Sequence, residues 1–318
     1  MAVRGRQRNQ IIFLTSFLAL LFLYCCVITS HQGEQQASPR RTFLGVGDVS
    51  ALVRMTEEIT RAGRVPLVAT VNAAYLPMTL SWLCNTAAMA GVHEQTVVIA
   101  TDDATHDALR RRWPTLRVFR HATQADMATG LGFGSNGYRI YMLMRVKLML
   151  ALLRRGVSLT VFETDCLWRK NAAPLVGEVA TSTGYDVIAA QNGAERHLGN
   201  YSAGFLFLNA TRGGVGVWSE MAKRLERGLK GTYEQDILDG LCKARHGGAR
   251  CRLFPYEQIA DGMWYRMTEE ARRRLLPDPY IINNNFIVGV EQKMQRARAY
   301  GHWFLAEDGD TCRPAKPG

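Results

Sequence analysis

The sequence predicts an α/β protein with a mostly parallel central sheet. Four short apolar runs are typical of buried strands, at 67–71, 96–100, 116–119 and 158–162. Three helix-like segments alternate with them, at 75–90, 104–112 and 138–155. Strands that alternate with helices favour a parallel sheet with helices on both faces. A hydrophobic content of 47% in 318 residues is ordinary for a globular protein and argues against a disordered chain.

The second half of the chain continues this pattern with more mixed elements. Strand-like runs lie at 186–190, 205–208, 252–254 and 280–282, and helix-like segments at 215–229, 233–242 and 292–300. We therefore expect one domain over residues 66–308 and a short tail at 309–318. Ligands of such sheets bind beyond the carboxyl ends of the strands. The polar residues at those ends are Asn72, Asp102, Asp103, Glu163 and Asp165.

An apolar segment near the N-terminus predicts a membrane anchor. Residues 11–28 carry no charge, and three arginines and no acid precede them. About 18 apolar residues are enough for a transmembrane helix, and the basic flank places the N-terminus in the cytosol. We expect a type II membrane protein with a cytosolic tail at 1–10, an anchor at 11–30, a stem at 31–65 and a lumenal domain. A cleaved signal peptide stays the alternative.

The net charge of +11 points to an anionic partner. Composition alone leaves nucleic acid, anionic lipid and phosphorylated small molecules open. Nucleic acid conflicts with a lumenal domain, and the arginines do not cluster with aromatic residues as a single-strand binder would need. We therefore expect no nucleic-acid partner.

Five cysteines follow the apolar segment: Cys84, Cys166, Cys242, Cys251 and Cys312. Because their number is odd, at least one is free or bonds to another chain. A homo-oligomer stays open. Cys242 and Cys251 flank a short loop and are the best candidates for a bridge. No pair has the C-x-x-C spacing of a zinc site.

The segment Val161–Trp168 carries the clearest chemical signal. A strand ends in Glu163 and Asp165, and residues i and i+2 of an extended chain point the same way. Two carboxylates that face one site suit a hard divalent cation that also binds a diphosphate. Taken alone, such a pair is more often a set of solvated acids at a strand end.

The same segment resembles the hallmark of the nucleotide-diphospho-sugar transferase domain family. In that family, which includes retaining xylosyl-, galactosyl- and arabinosyltransferases of the plant wall, a strand ends in Asp-x-Asp followed by Val-x-Trp. Residues 163–168 are Glu-Thr-Asp-Cys-Leu-Trp, with Glu in the first position. The family's preceding helix bears a Lys and ends in Leu-Leu-x-x-Gly, as the segment from Lys147 to Gly156 does. Early strands of the family end in Asn or near Asp, as at Asn72 and Asp102.

Further matches follow in the family's order. Ser202–Phe205 is similar to Asn-x-Gly-Phe, and Glu234-Gln235 is similar to an acidic-Gln pair. Residues 283–293 are similar to His-x-Asn-x-x-x-Gly-x-x-x-Lys, with Asn283 in place of His. Gly301–Trp303 is similar to the closing Gly-x-Trp. The order and spacing of these elements over residues 66–305 carry the resemblance.

The resemblance implies a GT-A fold, which is a Rossmann-like nucleotide-sugar-binding domain, and a glycosyltransferase that uses a UDP-sugar with Mn²⁺ or Mg²⁺. The implied metal ligands are Asp165, Glu163, Asn283 and His302. The implied donor-binding residues are Asn72, Asp102, Lys147, Glu163 and Lys293, of which Lys293 would neutralise the leaving phosphate. The implied catalytic residues, beside the transferred sugar, are Glu234 and Gln235.

Together with the anchor, the resemblance implies a Golgi type II enzyme that transfers a sugar to a hydroxyl of a glycan or glycoprotein, with retention of configuration. Glu163 and Asn283 depart from the family pattern, and an amide oxygen binds Mn²⁺ less well than an imidazole does. A catalytically inactive relative that acts as a lumenal partner of an active transferase therefore stays the alternative. Changing Asp165 to Ala separates the two, because an enzyme loses turnover whereas a scaffold keeps its partner.

Overall fold

The computed structural model describes residues 48–121, 131–132, 134–182, 184–193, 199–228 and 233–313. The anchor predicted at 11–30 and the first part of the predicted stem lie outside these residues. Among the helices that are described, none is both long enough and apolar enough to cross a bilayer.

The described strands, in chain order, are β1 Leu67–Val71, β2 Thr96–Ala100, β3 Arg117–Arg120, β4 Leu159–Phe162, β5 Leu167–Trp168, β6 Val187–Gln191, β7 Tyr201–Leu208, β8 Cys251–Leu253, β9 Ile259–Ala260 and β10 Ile281–Ile282. Seven of them form the central sheet, in the order β3-β2-β1-β4-β7-β6-β8. Neighbouring strands are parallel except for β7, which runs antiparallel to β4 and β6. The mostly parallel sheet expected from the sequence is therefore confirmed.

The described α-helices are α1 Ser50–Arg61, α2 Leu76–Thr86, α3 Asp103–Arg112, α4 Asn136–Arg154, α5 Ala173–Thr181, α6 Arg212–Glu226, α7 Glu234–Lys243, α8 Glu269–Leu275 and α9 Val290–Ala299. Side chains placed just before several helices satisfy their first backbone N–H groups. The Ser135 hydroxyl accepts a hydrogen bond from Tyr138 N at 3.1 Å and fixes the start of α4. Thr211 does the same for α6.

Apolar side chains cover both faces of the central sheet. Along β7, Leu206 and Leu208 contribute to one buried cluster, whereas Phe205 and Phe207 contribute to the other. Successive side chains of a strand point to opposite faces, so a strand buried on both sides is apolar throughout. This burial explains why the strands could be recognised as continuous apolar runs.

Helix α1 packs against the sheet although its residues fall in the segment assigned to the stem. Leu52 and Ile59 are fully or almost fully buried in the cluster that also contains residues of α4 and α6. Their spacing, with Thr56 between them, is that of one helical face. The folded domain therefore includes α1, which lies ahead of the expected boundary at residue 66.

A small second sheet lies next to the end of β4. In it, β10 pairs antiparallel with β5 and parallel with β9. The pairing of Ile282 with Leu167 places Asn283 beside the turn that carries Asp165. The strand predicted at 280–282 corresponds to β10, whereas the two-residue strands β5 and β9 were not predicted, because such short strands show little periodicity.

Four of the described cysteines form two disulfides. Cys242 bonds to Cys251, which confirms the predicted bridge, and Cys84 bonds to Cys312. Cys166 is the free cysteine among the described ones, and it is buried. It is therefore not placed to bond to a second chain.

Candidate functional site

The two carboxylates that follow β4 differ in exposure. The side chain of Asp165 is only 1% exposed, whereas that of Glu163 is 37% exposed. The Glu163 N–H donates to the Gly204 carbonyl of β7 at 3.0 Å, and the Thr164 hydroxyl lies 2.9 Å from the Thr79 hydroxyl of α2. The turn is thus fixed from both sides, and it holds one carboxylate in the interior and the other at the surface.

Lys293 of α9 forms an ion pair with Asp165. Its side chain is 12% exposed, and its ammonium group lies 5.8 Å from the centre of the Tyr75 ring. Burial alone would lower the pKa of Lys293, but the charges of Asp165, Tyr75 and Glu163 and the hydrogen bond to Asp165 together outweigh burial and raise that pKa. The structure therefore brings together two residues, 128 positions apart in the chain, that the sequence assigned to the metal and to the donor phosphate.

Arg145 of α4 is a buried cation that contacts two of the predicted site residues. It forms an ion pair with Glu234 at the start of α7 and lies 3.4 Å from Glu163 Oε1. Burial alone would lower the pKa of Arg145, but the charges of Glu234, Glu163 and Tyr141 and the hydrogen bond to Glu234 together outweigh burial and raise it. Both side chains of the Arg145–Glu234 pair are about 95% buried, so the pair links α4 to α7 inside the protein.

The structure places Lys147 away from these carboxylates. Its ammonium group pairs with Glu226 of α6 at 2.6 Å. Residues i and i+2 of a helix do not share a face, so Arg145 and Lys147 point in different directions. On α4, the cation that contacts Glu163 and Glu234 is therefore Arg145 rather than Lys147.

Asn283 lies next to Gly204 of β7. A Cβ atom added to Gly204 would be 2.2 Å from Asn283 Nδ2 and 3.2 Å from Glu163 Oε2, so the amide and the carboxylate converge over this glycine. Asn283 is 3% exposed, and its Oδ1 has no hydrogen-bond partner among the described residues. A buried carbonyl oxygen without a partner is costly unless a ligand satisfies it.

A hard cation would find oxygen donors here. Asp165, Glu163 and the unpaired Oδ1 of Asn283 offer carboxylate and amide oxygens, which Mg²⁺ and Mn²⁺ accept. Among the described residues, no three His, Cys, Asp or Glu side chains are grouped so that they could hold a metal ion. The donor set therefore fits a cation only with the amide included and with further oxygens from a bound diphosphate.

His302 packs in an aromatic cluster and lines the same small cavity as Asp165. Its Nδ1 is 2.9 Å from the Tyr265 hydroxyl, and its ring packs against Trp264 and Tyr300. Burial, followed by the charges of Arg169 and Arg272, lowers the pKa of His302 to about 4. The structure thus shows a neutral histidine that contributes to packing, and it shows no contact of His302 with Glu163 or Asn283.

The buried state of His302 predicts a pH dependence of stability. The unfolded chain binds the His302 proton near pH 6.5, whereas the folded chain binds it only near pH 4. The free energy of unfolding should therefore fall by about 2 kcal/mol as the pH drops from 6.5 to 4. Urea unfolding at a series of pH values measures this slope. His302→Phe should flatten the dependence of the free energy of unfolding on pH, whereas a substitution of the partly exposed His106 by Phe should not. An unchanged slope in His302→Phe would contradict a buried and neutral His302.

Asn72 and Asp102 shape the loops at the ends of β1 and β2. Asn72 Oδ1 accepts from Tyr75 N at 3.2 Å. Asp102 Oδ1 caps α3 through Thr105 N at 2.8 Å, and its Oδ2 accepts from Ala73 N at 2.8 Å. The two side chains thus tie the first two loops together at the carboxyl edge of the sheet, where the donor was expected to bind.

The predicted catalytic pair lies at the start of α7. Glu234 is buried in its ion pair with Arg145, and Gln235 is half-buried at the next position. Sequence reasoning did not identify Arg145 as part of the site. The sequence did offer one signal, since Arg145 is the single arginine in the largely apolar run 142–153. Because an unpaired charge is not buried in such a run, this arginine could have indicated a buried ion pair.

Comparisons with known proteins agree on one family. The family model described as nucleotide-diphospho-sugar transferase matches residues 91–297. UDP-D-xylose:L-fucose alpha-1,3-D-xylosyltransferase of Arabidopsis thaliana is 21% identical over 270 residues, which cover 75% of this chain and 69% of the relative. A second relative from Arabidopsis thaliana, UDP-D-xylose:L-fucose alpha-1,3-D-xylosyltransferase MGP4, is 22% identical over 269 residues, which cover 80% of this chain and 74% of the relative. The solved structure of the galactosyltransferase LgtC with donor and acceptor sugar analogs has a TM-score of 0.49 and 15% identity, over 77% of this chain and 98% of that one.

Proposed function

We propose that this chain, which belongs to the nucleotide-diphospho-sugar transferase family, is a metal-assisted retaining glycosyltransferase that transfers xylose from UDP-xylose to a hydroxyl of a glycan or glycoprotein. The family match supports a nucleotide-sugar donor. The names of the two Arabidopsis relatives support xylose as the sugar to test first. Two observations support the site: Lys293 pairs with Asp165, and Asn283 and Glu163 approach each other over Gly204, both next to the carboxyl end of β4.

Each of these residues has a proposed task. Asp165, Glu163 and Asn283 would hold Mn²⁺ or Mg²⁺, which when bound supplies positive charge to the diphosphate of the donor. Lys293 would stabilise the negative charge that develops on the leaving UDP. Glu234 and Gln235 would lie beside the sugar, where Arg145 fixes the direction of the Glu234 carboxylate.

The proposed location is the Golgi membrane, with the N-terminus in the cytosol and the domain in the lumen. The apolar segment at 11–28 and its basic flank support this topology. The two disulfides support an oxidising compartment, since they persist in the secretory pathway and are rare in the cytosol.

The decisive experiment is a panel of UDP-sugars offered to the full-length chain in detergent with Mn²⁺ or Mg²⁺. We expect turnover with UDP-xylose and an unchanged anomeric configuration in the product, read by NMR. Asp165→Asn should lower turnover by at least about 10²-fold, because it weakens the binding of the metal ion that would supply positive charge to the diphosphate. Asp278→Asn is the matched control, since Asp278 forms an exposed ion pair with Lys170 at 2.7 Å.

Two other outcomes would change the conclusion. Turnover with a different UDP-sugar would correct the donor and leave the reaction class in place. Absence of both turnover and UDP binding would contradict the enzyme, and retention of a lumenal protein partner by Asp165→Asn would then favour the inactive, scaffolding relative.

A further inference from the structure

We propose that Lys293 makes cation binding and nucleotide binding depend on each other, by pairing with Asp165 until both ligands arrive. The inference rests on the proposed function, since it assigns a second state to the same residues. Lys293 would neutralise Asp165 in the free protein and would turn to the diphosphate when a divalent cation takes its place.

The first step is the isolation of the Asp165 carboxylate. Its side chain is 1% exposed, and Lys293 is the cation paired with it among the described residues. The Cys166 sulfur lies 4.0 Å from Asp165 Oδ1 and carries no positive charge. A buried carboxylate that loses its only cationic partner is strongly destabilised. Lys293 is therefore required for as long as no other cation is bound to Asp165.

The second step is that a divalent cation and the ammonium group compete for the same oxygens. Like charges about 4 Å apart repel each other strongly in a partly buried site. A cation bound to Asp165 would therefore displace the Lys293 ammonium group. Binding of the cation alone must break the existing ion pair, and this lowers its apparent affinity.

The third step is that only the Lys293 side chain has to move. The backbone of Lys293 is held on both sides, because its N–H donates to the Gly289 carbonyl at 3.2 Å and its carbonyl accepts from Asn284 Nδ2 at 3.0 Å. The lysine side chain is long and flexible, and it carries its charge at the end. A diphosphate bound next to the cation would give the displaced ammonium group a new anionic partner.

Glu163 does not impose the same competition. Its carboxylate is more than a third exposed, and its cation, Arg145, remains paired with Glu234. A cation can therefore approach Glu163 without leaving Arg145 unpaired. The dependence of one ligand on the other is thus expected to come from Lys293.

The test measures Mn²⁺ binding to the full-length chain by the loss of the EPR signal of free Mn²⁺, with and without saturating UDP. In the wild type, UDP should tighten Mn²⁺ binding by about tenfold or more, within the usual range of coupling between two sites. Lys293→Met removes the competing charge. It should therefore tighten the binding of Mn²⁺ in the absence of UDP. The ratio of the Mn²⁺ affinity with UDP to the Mn²⁺ affinity without UDP should then approach one.

The matched control is Arg298→Met. Arg298 lies on the same helix and its side chain is 49% exposed, with Glu291 at 3.9 Å as its ion-pair partner. Arg298→Met also removes one positive charge, but Arg298 pairs with Glu291 and not with Asp165. The Mn²⁺ affinity of this variant should therefore stay within about twofold of the wild type. Equal tightening in both variants would show a general charge effect and would overturn the proposal.

Thermal unfolding provides the second readout. Without a cation, Lys293→Met leaves Asp165 unpaired, so added Mn²⁺ should raise the melting temperature of the variant more than that of the wild type. Lys293→Gln serves the same purpose should the Met variant not fold. Unchanged affinity for Mn²⁺ alone, in a folded variant that still binds UDP, would overturn the coupling but not the proposed function. Absence of UDP binding in the wild type would overturn both.

Discussion

Gly204→Ala is expected to lower turnover by about 10²-fold or more, the largest effect on activity that we expect from a single methyl group. The added Cβ would lie 2.2 Å from Asn283 Nδ2 and 3.2 Å from Glu163 Oε2. Asn283 is buried and has little room to move, so the amide, the carboxylate or β7 must shift. Displacements of about 1 Å in reacting groups can cost 10²-fold in rate. Steady-state kinetics with UDP-xylose measures the loss.

Gly216→Ala is the matched control for this substitution. Gly216 lies in α6, and nothing lies within 4 Å of the position of its added Cβ. Replacing a helical glycine by alanine should raise the free energy of unfolding by about 0.5–1 kcal/mol and leave turnover unchanged. If Gly204→Ala retained full activity, the proposed convergence of Asn283 and Glu163 over this glycine would be wrong.

Arg145→Met is expected to lower the free energy of unfolding by about 3–5 kcal/mol, because it leaves the Glu234 carboxylate buried without a cation. The double variant Arg145→Met, Glu234→Met removes both charges and should recover most of this loss. Urea unfolding of the wild type, the two single variants and the double variant gives the coupling free energy of the pair.

The exposed pair between Arg273 and Glu269 is the control for this cycle. Their side chains are 72% and 73% exposed, and they are four residues apart on α8. Arg273→Met should change the free energy of unfolding by less than about 0.5 kcal/mol. Strictly additive effects in the Arg145 and Glu234 variants would mean that the buried pair does not contribute as a unit.

The sequence was most informative where burial imposes a pattern. The runs predicted at 67–71 and 96–100 coincide with β1 and β2, because strands buried on both faces must be apolar throughout. The carboxylates Glu163 and Asp165 could be placed at a strand end for the same reason. The bridge between Cys242 and Cys251 was also predictable, since a short loop keeps both residues close.

The sequence was least informative where distant segments meet. Lys147 and Arg145 are two positions apart on one helix, and only the packing of α4 against α6 and α7 shows which of them faces the carboxylates. Likewise, only the packing of the last segment shows that His302 contacts the Tyr265 hydroxyl. Helix α1 was assigned to the stem because residues 31–65 are polar and mixed in composition, with a charged stretch at 54–64.

The disulfide between Cys84 and Cys312 joins the end of α2 to the last described segment, 228 positions further along the chain. Apart from Asn72, every residue assigned to the site lies between these two cysteines. A protease that cuts one peptide bond anywhere in this interval therefore releases nothing, and both pieces stay covalently joined at full mass under non-reducing conditions. In an oxidising compartment the enzyme would thus tolerate a single cut without losing any part of its site, whereas reduction would make the same cut separable.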